Sequence, residues 1–391
     1  MPVDLTRVRA DTPACERMIH FNNAGASLQP RPVTEALAAH LAREQEIGGY
    51  EAEAEAADAL ASFYSGFANM LGADTSEIAY VENATRAWDM AFYGLPLREG
   101  DRILTHSSEY VSNYLALLQQ AQRRGLHVDL VPSDASGQID VEALERMVTP
   151  RTKLIALTHV PTQGGLVNPV EAVGNVAREH GLIYMLDACQ SVGQMPVDVR
   201  EIGCHILSGT GRKFLRGPRG TGFLYVSNDI VDQIEPPFVD LRAAAWTGAN
   251  SYELAEGARR FENWESYVAG RIGLACAVAY ATEIGLAAIE TRVGHLAAHL
   301  REGLSDLPGV SVHDQGERLC GIVTFHVESE PPADTAARLA QSQINVSVSQ
   351  LTSARLDLGA RGLNSLTRAS VHYFNTENEV VRFVEAVGRV R

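Results

Sequence analysis

The chain has 391 residues, 46% hydrophobic and 21% charged, enough for a full core and for two domains. Its formal net charge of −15 lacks the basic surplus that nucleic acid or an anionic membrane would require. No apolar run approaches the roughly 18 residues of a membrane span, and the start, Met1-Pro-Val-Asp-Leu-Thr-Arg7, has no apolar signal core. The reading is therefore a cytoplasmic protein whose partner is a small molecule. Cys15, Cys189, Cys204, Cys276 and Cys320 are scattered, odd in number and without metal spacing, so they read as small buried thiols.

Residues 1–20 read as an arm. His20-Phe-Asn22-Asn23-Ala-Gly25-Ala-Ser27 is a short strand breaking into a polar turn, a good wall for a small polar ligand. A helix runs from Arg31 to Glu46, with Val33, Leu37 and Leu41 on one face. It is broken at Ile47-Gly-Gly-Tyr50 and resumes to Leu71, where Gly72 ends it. Ile78–Glu82 is a strand, and Asn83-Ala84-Thr85 opens the next helix. Free amides at such a helix start make an anion site. Arg102–Thr105 is a strand ending in His106-Ser-Ser-Glu109-Tyr110, followed by a helix Tyr114–Arg124 that stops at Gly125. Strand Val128–Val131 and helix Val141–Val148 come next. The apolar strand Leu154–Thr158 leads to His159-Val-Pro-Thr162, then helix Val170–His180, then the buried strand Leu182–Leu186 ending at Asp187.

Alternating strands and helices, with strands apolar on both faces, predict a mostly parallel sheet in an α/β domain. Ligands of such sheets sit beyond the C-terminal strand ends. Asn83–Thr85, Ser107–Tyr110, His159–Thr162 and Asp187–Gln190 all fall there. Next, Ser208-Gly-Thr210-Gly-Arg212-Lys213 reads as a turn carrying one lysine, before a glycine-rich loop and the apolar strand ending at Val226. A carboxylate at a strand end and a lysine in a Ser/Thr/Gly turn are the pair that pyridoxal phosphate needs. The amine holds its aldehyde as a Schiff base and the carboxylate keeps its ring nitrogen protonated. Residues 236–250 read as loop. Ala/Leu-rich helices follow from Tyr267 to Leu307, then strands at Val310–Val312 and Gly321–Val327, a helix Ala333–Gln341 and a terminal helix after Asn375. The division is an arm over 1–20, a large α/β domain over 21–255 and a smaller α+β domain over 256–391.

Asp187-Ala-Cys-Gln190-Ser-Val-Gly, the Lys213 turn with Gly217-Pro-Arg-Gly-Thr-Gly, and Arg368-Ala-Ser-Val-His-Tyr-Phe-Asn-Thr376 resemble the class V aminotransferase-fold enzymes. These are fold-type I pyridoxal phosphate proteins, among them cysteine desulfurases, selenocysteine lyases, isopenicillin N epimerase-like proteins and C–S lyases of ergothioneine biosynthesis. The likeness spans Asn22 to Asn375. It implies a homodimer acting on a small amino acid, with the site at the subunit interface. Lys213 would be the Schiff-base lysine and acid/base, and Asp187 the partner of the ring nitrogen. Gln190 would meet the ring hydroxyl, and Tyr110 would stack where the family usually has histidine. Ala84, Thr85, Thr210 and Arg212 would hold the phosphate, joined by Thr247 and Gly248 of the neighbouring subunit. Arg368 would clamp the substrate carboxylate. Asn22, Asn23 and Thr162 would contact substrate or ring.

Desulfurases carry a mobile cysteine ahead of the carboxylate-binding arginine, whereas here Val348-Ser-Gln-Leu-Thr-Ser353-Ala-Arg355 has none. A thiol relay is therefore not expected. What remains is β-elimination, epimerisation or transamination. The wording around Lys213 and Gly48-Gly-Tyr50-Glu51 is most similar to the lyases that cleave hercynylcysteine sulfoxide, so a lyase of cysteine S-conjugates is the leading expectation. His20, His106, His159 and His372 stand as open candidates for substrate recognition.

Overall fold

The computed structural model of the chain describes residues 2–389. The main sheet has seven strands: β1 (Ile78–Val81), β2 (Arg102–His106), β3 (His127–Val131), β4 (Thr152–Thr158), β5 (Ile183–Asp187), β6 (Ile206–Thr210) and β7 (Gly222–Val226). Their spatial order is β1-β7-β6-β5-β4-β2-β3. Strands β2 to β6 run parallel. Only β7 runs backwards, antiparallel to both β6 and β1. Two reversals restore the direction, so β1 ends on the same edge as β5 and β6. This brings Asn83–Thr85 beside Asp187 although two strands lie between them.

The strands read as apolar runs because helices cover both faces. Among the helices of the chain are α1 (Arg31–Ile47), α2 (Ala57–Leu71), α3 (Ala84–Phe92), α4 (Val111–Arg124), α5 (Val170–Glu179), α6 (Val268–Ile284), α7 (Leu286–Ser305) and α8 (Glu377–Gly388). Helices α2 and α4 end at Gly72 and Gly125 in the left-handed conformation, which glycine adopts without steric cost. Helix α6 packs on α1 and α2, while α7 packs on α8 and the second sheet. The two are bent by 79° at Gly285, and among the described residues no single helix is long and apolar enough to cross a membrane.

The second sheet is antiparallel, with β8 (Val310–Val312), β9 (Ile322–Val327), β10 (Ser347–Gln350) and β11 (Ser365–Ser370) in the order β8-β9-β11-β10. The chain's start is sewn into this unit. Ile19–His20 pairs with Ile344–Asn345, and Asn22 bridges to Ser370. One apolar cluster, from Val8 to Val387, runs through both units.

Several elements depart from the sequence reading. Ser208–Thr210, expected as turn, belongs to β6. It is composed of small residues because Phe223 of β7 lies flat on it: a Cβ at Gly209 would come within 2.2 Å of that ring. Residues 244–248, within the stretch expected as loop, pair with 251–254 in an exposed two-stranded hairpin. Strands β10 and β11 were not anticipated, since Ser-Leu-Thr-Arg-Ala-Ser carries no clear apolar alternation. Helix α4 starts at Val111, with Tyr110 at its N-cap position.

The lysine turn is anchored by Arg216, which is 1% exposed. Its guanidinium donates to Leu28 O (2.7 Å), the Tyr373 hydroxyl (2.8 Å) and Thr12 Oγ1 (2.5 Å), and lies over the Phe374 ring at 4.5 Å. It therefore ties the arm, the turn and the C-terminal segment together, with no carboxylate partner among the described residues. Arg216→Ala leaves three acceptors unpaired and a cavity between aromatic rings. We expect it to lower unfolding free energy by about 3 kcal/mol, read as an earlier denaturant midpoint at unchanged slope.

Candidate active site

Asp187 ends β5, and its register partner on β6 is Ser208, so Lys213 follows one short turn beyond the neighbouring strand end. The carboxylate is buried and held from both sides. Its Oδ2 accepts from Asn113 Nδ2 at 2.8 Å and its Oδ1 from the Cys189 backbone N–H at 2.8 Å. The Lys213 side chain is 8% exposed, with Nζ 5.9 Å from the centre of the Tyr110 ring. Burial pushes this amine below the ordinary lysine value. Cys189 and Asp187 oppose the shift, and the Arg212 and Arg368 guanidinium groups add to it. The Gln190 loop approaches the lysine turn closely because Gly193, at φ 97°, has no side chain. A Cβ there would meet Leu215 N at 2.5 Å.

These groups line a cavity of about 210 Å³. At one end are Ala84 and Thr85 at the start of α3, with Thr210 and Arg212. Asn83 caps that helix through Arg86 N (2.9 Å), and the first amides of a helix have no partner within it. Asp187 and Gln190 also line it, Tyr110 forms a wall, and Lys213 reaches in. Gln190 Nε2 donates to Ala24 O (3.1 Å) and to Thr162 Oγ1 (3.0 Å), which leaves its Oε1 buried without a partner.

A second cavity of about 190 Å³ shares Tyr110 and Thr162 with the first. Its walls include Arg368, Gln163 and the segment from Val348 to Ala354. Arg368 donates to Thr162 O (2.8 Å) and Oγ1 (2.7 Å), and its Nε has no partner. Burial, with the Arg212 charge adding to it, pushes its pKa down to about 10. Gln163 is 1% exposed with both amide atoms unpaired. Asn22 Oδ1 is also buried without a partner.

Other expected residues lie elsewhere. Asn23 spends its side chain inside the protein, donating to Ser370 O (2.7 Å) and His20 O (3.1 Å) and accepting from Ser27 Oγ (2.7 Å). Thr247 and Gly248 sit on the exposed 244–254 hairpin, outside both cavities of their own chain. Neither cavity is lined by a histidine. His372 bonds Phe214 O, His20 bonds Ala26 O, His106 sits between Ser108 and Ser133, and His159 is buried with both ring nitrogens unpaired. Sequence reasoning did not single out Glu109, Asn113 and Thr158, which support Asp187. The signal was Glu109 and Asn113, one helical turn apart at a strand end.

An anion-binding helix start with Arg212 at one end, a carboxylate for a ring nitrogen, an unpaired Gln190 oxygen and an amine form a donor set that fits pyridoxal 5′-phosphate. The model of the aminotransferase class-V family matches residues 19–383. The chain belongs to the class V aminotransferase family. Its cofactor is pyridoxal 5′-phosphate. A probable cysteine desulfurase of Pyrococcus abyssi is 30% identical over 384 residues, 96% of this chain and 95% of that protein. The apo structure of a cysteine desulfurase from Thermococcus onnurineus NA1 superposes with a TM-score of 0.92 at 30% identity, covering 99% and 98% of the two chains. The cystine C–S lyase C-DES, solved with its product cysteine persulfide, shares the fold, with a TM-score of 0.85 at 24% identity over 97% and 99%. This class V enzyme is thus cysteine desulfurase-like in fold and family.

The lowered Lys213 pKa carries a sign. A depressed pKa leaves more free amine at any given pH, so cofactor attachment to the apoprotein should rise with pH and level off below the about 10.4 of an exposed lysine. Stopped-flow absorbance of the bound cofactor measures this. A midpoint as high as that of an exposed lysine counts against a desolvated amine. Lys213→Ala should retain no borohydride-reducible cofactor by intact mass.

Proposed function

We propose that this class V enzyme is a lyase that cleaves the C–S bond of a cysteine S-conjugate or its sulfoxide, by α-proton removal and β-elimination. When bound, pyridoxal phosphate withdraws electrons from the substrate α-carbon. In this reading Lys213 carries the cofactor, and its amine, once freed by the substrate amine, takes the α-proton. A depressed lysine pKa suits that task at neutral pH. Asp187 would face the ring nitrogen, Gln190 the ring hydroxyl and Tyr110 the ring face. Ala84, Thr85, Thr210 and Arg212 hold the phosphate. Arg368 takes the substrate carboxylate, with its guanidinium kept in place by Thr162. Asn22, which lines neither cavity, would meet the substrate only through its buried, unpartnered Oδ1.

The observation that carries the choice of a lyase is the wall of the second cavity. Ser349 and Ser353 stand there, and no cysteine occurs from Val348 to Arg355. A relay of sulfur through a thiolate has no nucleophile at that wall. The reading that stands second, a cysteine desulfurase, is favoured by the names of the relatives and by Cys189 on the cofactor-pocket wall. Against it, burial and Asp187 push the Cys189 thiol pKa well above its usual value.

The working unit of the proposal is a homodimer. The stretch 238–264 leaves Phe238, Leu241, Trp246, Tyr252 and Trp264 exposed, Trp246 by 84%, more apolar surface than a monomer ordinarily shows water in one segment. Thr247 and Gly248 lie on the same hairpin and would reach the partner's phosphate group. We expect a solution mass of twice 42.3 kDa, and Trp246→Asp should shift the protein to monomer and weaken cofactor retention in sedimentation and absorbance assays.

The lyase reading is tested by incubating the holoenzyme with a panel of cysteine S-conjugates and their sulfoxides. Pyruvate and ammonia are expected in equal amounts, and Lys213→Ala should release at least about a hundredfold less. Alanine together with protein-bound persulfide would instead establish desulfuration. α-Deuterium exchange with no released product would establish epimerisation.

A further inference from the structure

One side chain removed from Asp187, linked to it through Asn113, lies a second carboxyl group that the proposed reaction does not use. Glu109 is 5% exposed and lies just before α4. Its Oε1 accepts from Tyr110 N (2.8 Å), from Asn113 Nδ2 (3.0 Å) and from the Thr158 hydroxyl, and its Oε2 faces Thr105 Oγ1 at 3.4 Å. No described lysine, arginine or histidine pairs with it. The titratable groups near it are Asp187 and Tyr184, both on β5. Burial pushes its pKa up to about 7, with the Asp187 charge adding to this and the bonds from Thr158, Asn113 and Tyr110 opposing it.

The arrangement centres on one nitrogen. Asn113 Nδ2 has two N–H groups and divides them between Asp187 Oδ2 and Glu109 Oε1. If the amide turned over, its oxygen would face two carboxyl groups and Asp187 would lose a donor. Glu109, fixed from β2, β4 and the α4 start, decides which end of the Asn113 amide Asp187 meets.

We propose that Glu109 is a positioning residue for the cofactor, acting through Asn113 to hold the Asp187 carboxylate in place. This rests on the reading of Asp187 as the partner of the ring nitrogen. What the inference requires of residue 109 is a well-placed acceptor; its charge is secondary. Glutamine meets that need, because its amide oxygen takes the same three donors. Alanine does not.

The test uses no turnover, so failure of the lyase reading leaves it standing. Cofactor dissociation constants and the pH midpoint of the bound cofactor's visible absorbance are measured for the wild type, Glu109→Ala, Glu109→Gln and Asp187→Asn. Glu109→Ala should weaken cofactor binding about tenfold, the worth of one hydrogen bond to a charged group, and displace the spectral midpoint. Glu109→Gln should stay within about twofold of wild type in affinity. A merely structural Glu109 would lower the melting temperature of Glu109→Ala while leaving affinity and midpoint where they were, and that result overturns the proposal. So does a Glu109→Gln protein as impaired as Glu109→Ala, since it would show charge and not acceptor geometry at work. Asp187→Asn serves as the control. If its spectrum and affinity do not change, the role of Asp187 itself is wrong, which separates that failure from the failure of Glu109.

Discussion

The site depends on burying a carboxylate and an amine in one pocket at the ends of two adjacent strands. Asp187 and Lys213 are each costly to bury, and neither is left without support. Asp187 is bonded by Asn113 and by the Cys189 amide, and Lys213 lies within the field of that carboxylate. Much of the surrounding fold follows from holding this pair. Phe223 needs a glycine beneath it on β6, Gly193 lets two loops approach closely, and buried Arg216 pins the turn between the arm and the C-terminal segment. The reversed β7 brings the start of α3 to the same edge of the sheet.

The second constraint is an excess of positive charge. Lys213, Arg212 and Arg368 converge with no ion-pair partner among the described residues, and burial lowers the pKa values of Lys213 and Arg368, with neighbouring guanidinium groups adding to the shift. Such a pocket suits ligands with two separate anionic groups, a phosphate at the α3 end and a carboxylate at Arg368. The Gln190–Thr162–Arg368 chain of hydrogen bonds links those two ends, so the place where a substrate carboxylate would bind is fixed relative to the ring by 3.0 and 2.7 Å contacts.

The large sheet was readable in the sequence because Leu154–Thr158 and Leu182–Asp187 are buried on both faces and therefore apolar throughout. Asp187 and Lys213, picked out because few other chemistries need that pair, line one cavity. What could not be read has a physical cause in each case. β6 looks like a turn because a flat phenylalanine demands glycine and small neighbours. The 244–254 hairpin has no buried face within one chain. β11 places Thr367, Arg368 and Ser370 indoors, so its polarity contradicts its burial. Asn23 looked like a ligand residue because the pattern of a polar turn does not reveal where its hydrogen bonds go. Glu109 fell within the strand-end stretch Ser107–Tyr110, but nothing in a linear sequence tells a carboxyl group facing solvent from one turned into the core.

Family likeness and reaction part company at the second cavity. Family membership and a shared fold, at 30% identity to cysteine desulfurases, go with a pyridoxal phosphate enzyme. They do not determine where the β-substituent goes. That choice belongs to the wall opposite Arg368, where sulfur could be captured only by a thiolate close to the leaving group. The wall offers hydroxyl groups from Ser349 and Ser353 and the unpaired amide of Gln163. Hydroxyls and amides stabilise a departing oxygen-bearing sulfur by hydrogen bonding but do not take it up. Cys189 stands on the cofactor's side next to a carboxylate, where ionisation is opposed. Under the proposed lyase reading, that wall would let the sulfur fragment leave and would not retain it on the protein.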